Sequence, residues 1–165
     1  MRILGIDPGY GITGFALIDA QRGSNQLIHC GAITTPAGMD FPARLEIIYR
    51  DMQQLLETAK PDAVAIEELF FGQNVTTGIG VAQSRGVILL AIQQAGLPVT
   101  SYKPMQVKLA VVGYGNATKH QVQDMTKRIL HLNKLPKPDD AADAIAIALC
   151  HARSSTSLLA RAIEN

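Results

Sequence analysis

Four carboxylates in this sequence stand where a phosphodiester-cutting centre needs them. Asp7 ends the first apolar run, RILGID; Glu67 ends another, DAVAIE; Asp140 and Asp143 open a helical stretch, DDAADAIAIALCHA. A charge at a strand end or a helix start needs a cation, a donor or water. If the fold gathers all four, their repulsion demands a hard cation, and Mg²⁺ suits oxygen ligands while reversing the local electrostatic cost. Plainer explanations compete with this candidate metal site. Asp140 and Asp143 are neighbours on one helix face, but acids in a first turn also gain about 0.3–1 kcal/mol from the helix dipole, and Asp139, after Pro138, reads as an N-cap. Capping leaves Asp143 unexplained, because it lies beyond the first turn between alanines. Glu67 and Glu68 could each be an exposed strand end. Alternation lets only one of them face a common site, and Glu67, which shares a side with Ala63 and Ala65, stands at the same distance past its apolar run as Asp7.

The elements that must position these acids follow from periodicity. Residues 2–7, about 12–19 and about 26–34 read as three strands of an antiparallel meander, with the Gly-rich turn GYGITG after the first. Leu45, Ile48, Tyr49, Met52, Leu55 and Leu56 fall at helical spacing and predict a helix over Phe41–Thr58, stopped by Lys60-Pro61-Asp62 before the strand AVAIE. A polar loop, FGQNVTTG, precedes a helix over 78–95, and LPVTSY is a short strand. Helical segments then follow at roughly 103–111, 118–132 and 139–152. A helix joining the third strand to the fourth, and another joining the fourth to the fifth, is the crossover pattern of parallel strands. The expected fold class is α/β: a mixed five-stranded sheet flanked by helices, in a single domain over residues 1–165 whose end frays from Arg161.

With 165 residues, 47% of them hydrophobic and 18% charged, the chain can bury one substantial core. The stretch VILLAIQQAGLPV is too short and too polar to span a bilayer, and the N-terminus starts directly on a strand pattern without a leader. A soluble, cytoplasmic protein with no membrane association is expected. Cys30 and Cys150 lack CxxC spacing and read as small, buried apolar residues. The net charge of +1 hides an asymmetry: Met1–Glu68 holds nine acids against five bases, whereas Leu69–Pro138 holds eight bases against Asp124 alone. Such a cationic block suits a phosphate backbone, although solvated helix faces also collect lysines.

The segments GIDPG, PDAVAIEELFF, AQSRGV, VKLAVVGYGNATKHQVQ and DDAADAIAIA lie in this order over nearly the whole length. Together they make the chain resemble the RuvC family of bacterial Holliday-junction resolvases, within the RNase H-like nuclease superfamily. GIDPGYGITG is also similar to the phosphate loop of actin-like kinases and chaperone ATPases, but those need a second lobe that this chain is too short to hold. The resolvase resemblance implies an RNase H-like fold and a homodimer with two active sites. It implies an endonuclease of DNA recombination and repair that nicks two like-polarity strands of four-way junction DNA, with a branch-migration motor of the RuvA and RuvB type as partner. It makes Asp7, Glu67, Asp140 and Asp143 the catalytic, metal-binding acids, in the all-carboxylate form, since some relatives carry His in place of Asp143. Lys119 matches a catalytic lysine near the scissile phosphate, and Lys108 a basic residue of the DNA-contact surface. His120, beside Lys119, is a further phosphate contact, and Arg85 stands near the dimer or DNA surface. Phe70 corresponds to an aromatic that stacks on an unpaired base, worth roughly 1–3 kcal/mol, with Phe71 as the competing candidate. The implied mechanism uses two Mg²⁺ ions about 3.5–4 Å apart, one generating the nucleophile and one stabilising the leaving 3′ oxygen, with Mn²⁺ able to substitute. Two alternatives stand beside it: an RNA-directed RNase H-like nuclease of YqgF type, and a non-catalytic junction-binding protein. The lysine-rich VKLAVVGYGNATKHQVQ segment argues against the first, and the intact set of acids against the second.

Overall fold

Strand alternation and helical periodicity resolve into β1 (Arg2–Asp7), β2 (Ile12–Gln21), β3 (Ser24–Thr34), α1 (Phe41–Ala59), β4 (Ala63–Glu67), α2 (Val75–Gln94), β5 (Val99–Tyr102), α3 (Pro104–Val112), α4 (Lys119–Ile129) and α5 (Asp139–Ile163). The computed structural model describes residues 1–69 and 75–163, with side chains given for all of these except 75 and 156–163. The sheet order is β3-β2-β1-β4-β5. The β1–β2 and β2–β3 pairs are antiparallel, and β1–β4 and β4–β5 are parallel. The expected mixed sheet is therefore present.

Element ends differ from the sequence reading in places. The second helix starts at Val75 and takes in Val75, Thr76 and Thr77, ahead of the expected start at 78. Buried Ile88, Ala91 and Ile92 anchor that helix against the sheet. Conversely, α4 stops at Ile129 instead of 132: His131 takes a positive φ of 52°, and Leu132 N–H donates to the Lys127 carbonyl at 2.9 Å, closing the helix end. The last helix continues to Ile163, well past the expected 152. Residues 164 and 165 of the end expected to fray lie outside the described residues.

Each face of the sheet has its own core. Leu4, Ile6, Leu17, Val64 and Ile66 pack against α1 and α2 through Ile48, Met52, Ile88 and Ile92. On the opposite face Ile3, Ala16, Ile18, Ala65 and Tyr102 pack against α3, α4 and α5 through Val107, Val111, Val122, Ala144, Ile145 and Ala148. Cys150 is buried in this second core and Cys30 half-buried at its margin; neither forms a disulfide.

The α5 face is unusually close to the strands. A Cβ on Gly5 of β1 would lie 2.1 Å from the Ala144 carbonyl oxygen, and one on Gly14 of β2 would lie 2.0 Å from the Asp140 carbonyl oxygen. Glycine inside a strand is weak on its own, but here it lets helix backbone rest on sheet backbone. The alanines of α5 complete the contact, Ala141, Ala144 and Ala148 being fully buried. Any side chain at either glycine must lift the helix, and overpacking of this kind costs about 1–3 kcal/mol or more. Gly5→Ala and Gly14→Ala should each lower the urea midpoint accordingly, while Gly11→Ala, where an added Cβ meets nothing within 4 Å, should stay within about 0.5 kcal/mol of wild type. Equal midpoints for all three would show that the close seat of α5 is not required.

Candidate active site

The alternation that buries Ile6 and Ile66 toward α1 and α2 turns Asp7 and Glu67 toward α5. Ile6 pairs with Ile66 in the parallel β1–β4 ladder, so the two acids emerge side by side at the carboxyl ends of adjacent parallel strands. That is the position where open α/β sheets place their ligands. The chain beyond Asp7 is tied down. Thr13 Oγ1 donates to the Gly9 carbonyl at 2.6 Å, and Thr35 Oγ1 to the Tyr10 carbonyl at 2.5 Å. Tyr10 packs edge-on against Phe41, ring centroids 5.7 Å apart, beneath the Arg44 guanidinium.

The other two acids come down onto this edge with α5. Asp139 is the helix's first residue and not a cap ahead of it, and its carboxylate accepts from Lys137 Nζ at 2.7 Å. Half-buried Asp140 and Asp143 follow in the first two turns. A capping box starts α4: Thr118 Oγ1 accepts from Gln121 N–H at 3.2 Å, and Gln121 Oε1 from Thr118 N–H at 2.9 Å. This fixes Lys119 at the helix start, where Nζ lies 2.8 Å from Asp143 Oδ2 and 4.0 Å from Asp139 Oδ2.

The charges feel one another. Burial first, then the Glu67, Asp143 and Asp140 carboxylates, push the Asp7 carboxyl from an ordinary 3.8 up to about 8, against the pull of Lys119. Glu67 is also raised, by burial and then by Asp143, while Lys119 and Lys108 pull it back. The Lys119 ammonium is raised, chiefly by its hydrogen bond to Asp143. All four predicted acids, with Lys119 and Lys108, therefore share one electrostatic site. Among the described residues, however, no three carboxylate, histidine or cysteine side chains are placed to hold a metal ion together. Repulsion between like charges, and the grip of Lys119 on Asp143, favour such a spread. The donor set fits a hard cation all the same: every donor is a carboxylate oxygen, and burial together with the neighbouring carboxylates disfavours the ionised form of Asp7.

The remaining sequence candidates fall in three places. His120 is exposed beside Lys119 on α4. Arg85 lies on α2, on the far side of β4 from the acids, where its Nε donates to the Glu67 carbonyl at 2.9 Å and its Nη2 to Ser101 Oγ at 2.6 Å. Phe70, with Phe71, lies outside the described residues. Sequence reading missed Gly5 and Gly14, although both share the α5 side of their strands with apolar residues, a position where glycine signals close backbone approach. It also missed Ser101, whose only signal is tertiary.

A mixed sheet of order β3-β2-β1-β4-β5, with acids at two adjacent strand ends and on the final helix laid across them, defines an RNase H-like nuclease. Residues 3–151 match the family model described as crossover junction endodeoxyribonuclease RuvC. The chain belongs to that family, whose members are DNA-cleaving hydrolases. It is 52% identical over 158 residues to the crossover junction endodeoxyribonuclease RuvC of Chloroflexus aurantiacus, covering 96% of each chain. To that of Syntrophomonas wolfei it is 56% identical over 154 residues, covering 93% of this chain and 90% of the relative. The solved structure of Thermus thermophilus RuvC matches with a TM-score of 0.88 at 35% identity, over 95% of this chain and 96% of that one. T. thermophilus RuvC in complex with Holliday junction substrate matches at 0.87 and 33% identity, with the same coverage.

The raised Asp7 carboxyl has a consequence for stability without metal. Its folded value, about 8, exceeds the ordinary 3.8, so between these limits the folded state holds a proton that the unfolded chain has released. The associated stability is complete below about pH 4 and is lost as pH rises through 8. Asp7→Asn cannot ionise. In EDTA its melting temperature should exceed that of wild type at pH 9, and the gap should close toward pH 5; parallel pH profiles would contradict the shift.

Proposed function

We propose that this chain is a structure-selective endonuclease that resolves Holliday junctions by paired, metal-dependent hydrolytic nicks in two strands of like polarity. The observation that carries the proposal is the meeting of Asp7, Glu67, Asp140 and Asp143 at one sheet edge, with Lys119 and Lys108 beside them, in a member of this family.

The carboxylates' task is to hold divalent ions, two of Mg²⁺ by expectation, with Mn²⁺ able to replace them. Such ions, when bound, supply the positive charge that acidifies water and stabilises the phosphate and the leaving 3′ oxygen. The protein does the rest. Asp7, held above its ordinary range by burial and its neighbours, would bind such an ion in its deprotonated form. Glu67, at the end of a strand ordered on both sides, presents its carboxylate from a fixed backbone. The half-exposed ammonium of Lys119 sits next to Asp143, where it can exchange that carboxylate for a phosphate oxygen and orient the scissile group. Lys108 and His120 extend the cationic edge along the strand to be cut, and Phe70 stacks on an unpaired base at the opened crossover.

Two nicks at one junction require two centres, and the proposal includes a homodimer. Ile79 and Leu90 are each about half exposed on one stripe of α2, at 53% and 51%, with exposed Gly86 between them, which supports pairing of two copies along that helix. Branched DNA would then be selected by shape and deformability across the pair. A branch-migration motor of the RuvA and RuvB type supplies the substrate. Residues 1–165 act as one nuclease domain in the cytoplasm; among the described residues, no helix is long and apolar enough to cross a membrane.

The test offers a labelled synthetic four-way junction, the matching linear duplex and an RNA–DNA hybrid, with Mg²⁺ or EDTA. Symmetric nicks confined to the junction and dependent on the ion are expected. Asp7→Asn should cut at least about a thousandfold more slowly while binding the junction as before, and Lys119→Ala about 10–100-fold more slowly. Cleavage of the hybrid in preference to the junction would point to an RNA-directed nuclease, and binding without cleavage under any divalent ion to a junction-binding protein.

A further inference from the structure

Arg85 belongs to the cationic middle of the sequence, yet its guanidinium does not face the acids. It reaches from α2, on the opposite face of the sheet, and two of its donors are spent at the ends of two strands: Nε on the Glu67 carbonyl of β4, Nη2 on Ser101 Oγ of β5. Register explains the geometry. Ser101 pairs with Ile66, so its side chain lies on the α2 face, while Glu67 pairs with Tyr102 and turns the other way, toward α5. The last rung between the two strands is Glu68 N–H to the Tyr102 carbonyl at 2.8 Å, so Arg85 acts where the ladder ends and the chain leaves the sheet.

We infer that Arg85 is a positioning residue for Glu67: by clamping the Glu67 carbonyl and Ser101 from α2, it fixes the backbone from which the Glu67 carboxylate enters the acidic site. The inference rests on the function proposed above. Three features support it. Arg85 is half-buried and spent on the sheet end, whereas Lys119 is exposed and pairs with an acid of the site itself. Its bond is to the backbone of Glu67 and leaves both carboxylate oxygens for the site. A planar fork with donors in two directions can join two strand ends, which a lysine ammonium on a flexible stem does not hold in register. A small rotation at the end of β4 would swing the carboxylate away from Asp7, and catalysis is sensitive to displacements of this size.

The experiment measures junction affinity in EDTA, melting temperature in EDTA, and cleavage rate at saturating junction with Mg²⁺, for wild type and for Arg85→Ala, Arg85→Lys and Ser101→Ala. Arg85→Ala should lower the saturated rate about 10–100-fold, the scale set by orienting partners of metal ligands, and leave junction affinity within about twofold. Arg85→Lys should recover only part of the rate. Ser101→Ala, which keeps the bond to Glu67 but frees the outer arm of the fork, should lose a few fold. A role in stability alone would move the melting temperature without this selective loss of saturated rate. Equal saturated rates for Arg85→Ala and wild type would overturn the inference. A fall in affinity matching the fall in rate would overturn it too, making Arg85 a DNA contact. If Arg85→Ala does not fold, Arg85→Lys and Ser101→Ala decide the matter by the same split. Failure of the wild type itself to nick any junction is a separate outcome, which removes the proposed function and this inference with it.

Discussion

The acids of α5 can stand over the ends of β1 and β4 only because the strands beneath the helix carry no side chain at Gly5 and Gly14. An added Cβ would press directly on the Ala144 and Asp140 carbonyl oxygens, so the helix rests on sheet backbone and its height is set by atoms that cannot move aside. Alanines at 141, 144 and 148 continue the same close contact along the helix. The second of these glycine contacts falls at Asp140 itself, so the packing that closes the core also places an acid of the site. A larger residue at either strand position would raise the start of the helix and separate Asp140 and Asp143 from Asp7.

Such closeness has an electrostatic cost. Four carboxylates share a half-buried edge, and the structure offsets their charge only in part. Lys119 takes Asp143 directly, Lys108 acts on Glu67 from α3, and the Asp7 carboxyl is held well above its ordinary range, first by burial and then by its neighbours' charges. A cluster whose donors are all carboxylate oxygens suits hard cations in its chemistry. Lys119 balances Asp143 from the start of α4.

Much of this was legible in the sequence, for reasons that differ by residue. Asp7 and Glu67 could be read because strand period is strict: once RILGID and DAVAIE are strands, their terminal acids must take the side of Ile3 and Ala65. Asp143 could be read because a charge between alanines contradicts a buried helix face. Contacts between distant elements were not legible. Nothing local tells that Lys119 meets Asp143, that Arg85 crosses to the Glu67 carbonyl, or that the strand glycines face α5 closely. The cationic block illustrates the limit. Arg85 is engaged by a backbone carbonyl, Arg128 pairs with Asp124 at 3.0 Å and Lys137 with Asp139 at 2.7 Å, so part of the excess charge serves the fold. Helix ends also escaped the pattern: α2 starts before, and α5 runs beyond, the stretch that periodicity marks.

Asp7, Glu67, Asp140 and Asp143 gather at one sheet edge, where burial and the neighbouring carboxylates hold the Asp7 carboxyl above its ordinary range, so a cation bound there should release its proton. Calorimetric titration of the DNA-free protein with Mg²⁺ or Mn²⁺ at pH 7, repeated in buffers of different ionisation enthalpy, counts the protons released per binding event. Release approaching about one proton in the wild type, abolished in Asp7→Asn, is the expected result. Ion binding with no proton release, or with the same release from Asp7→Asn, would contradict it.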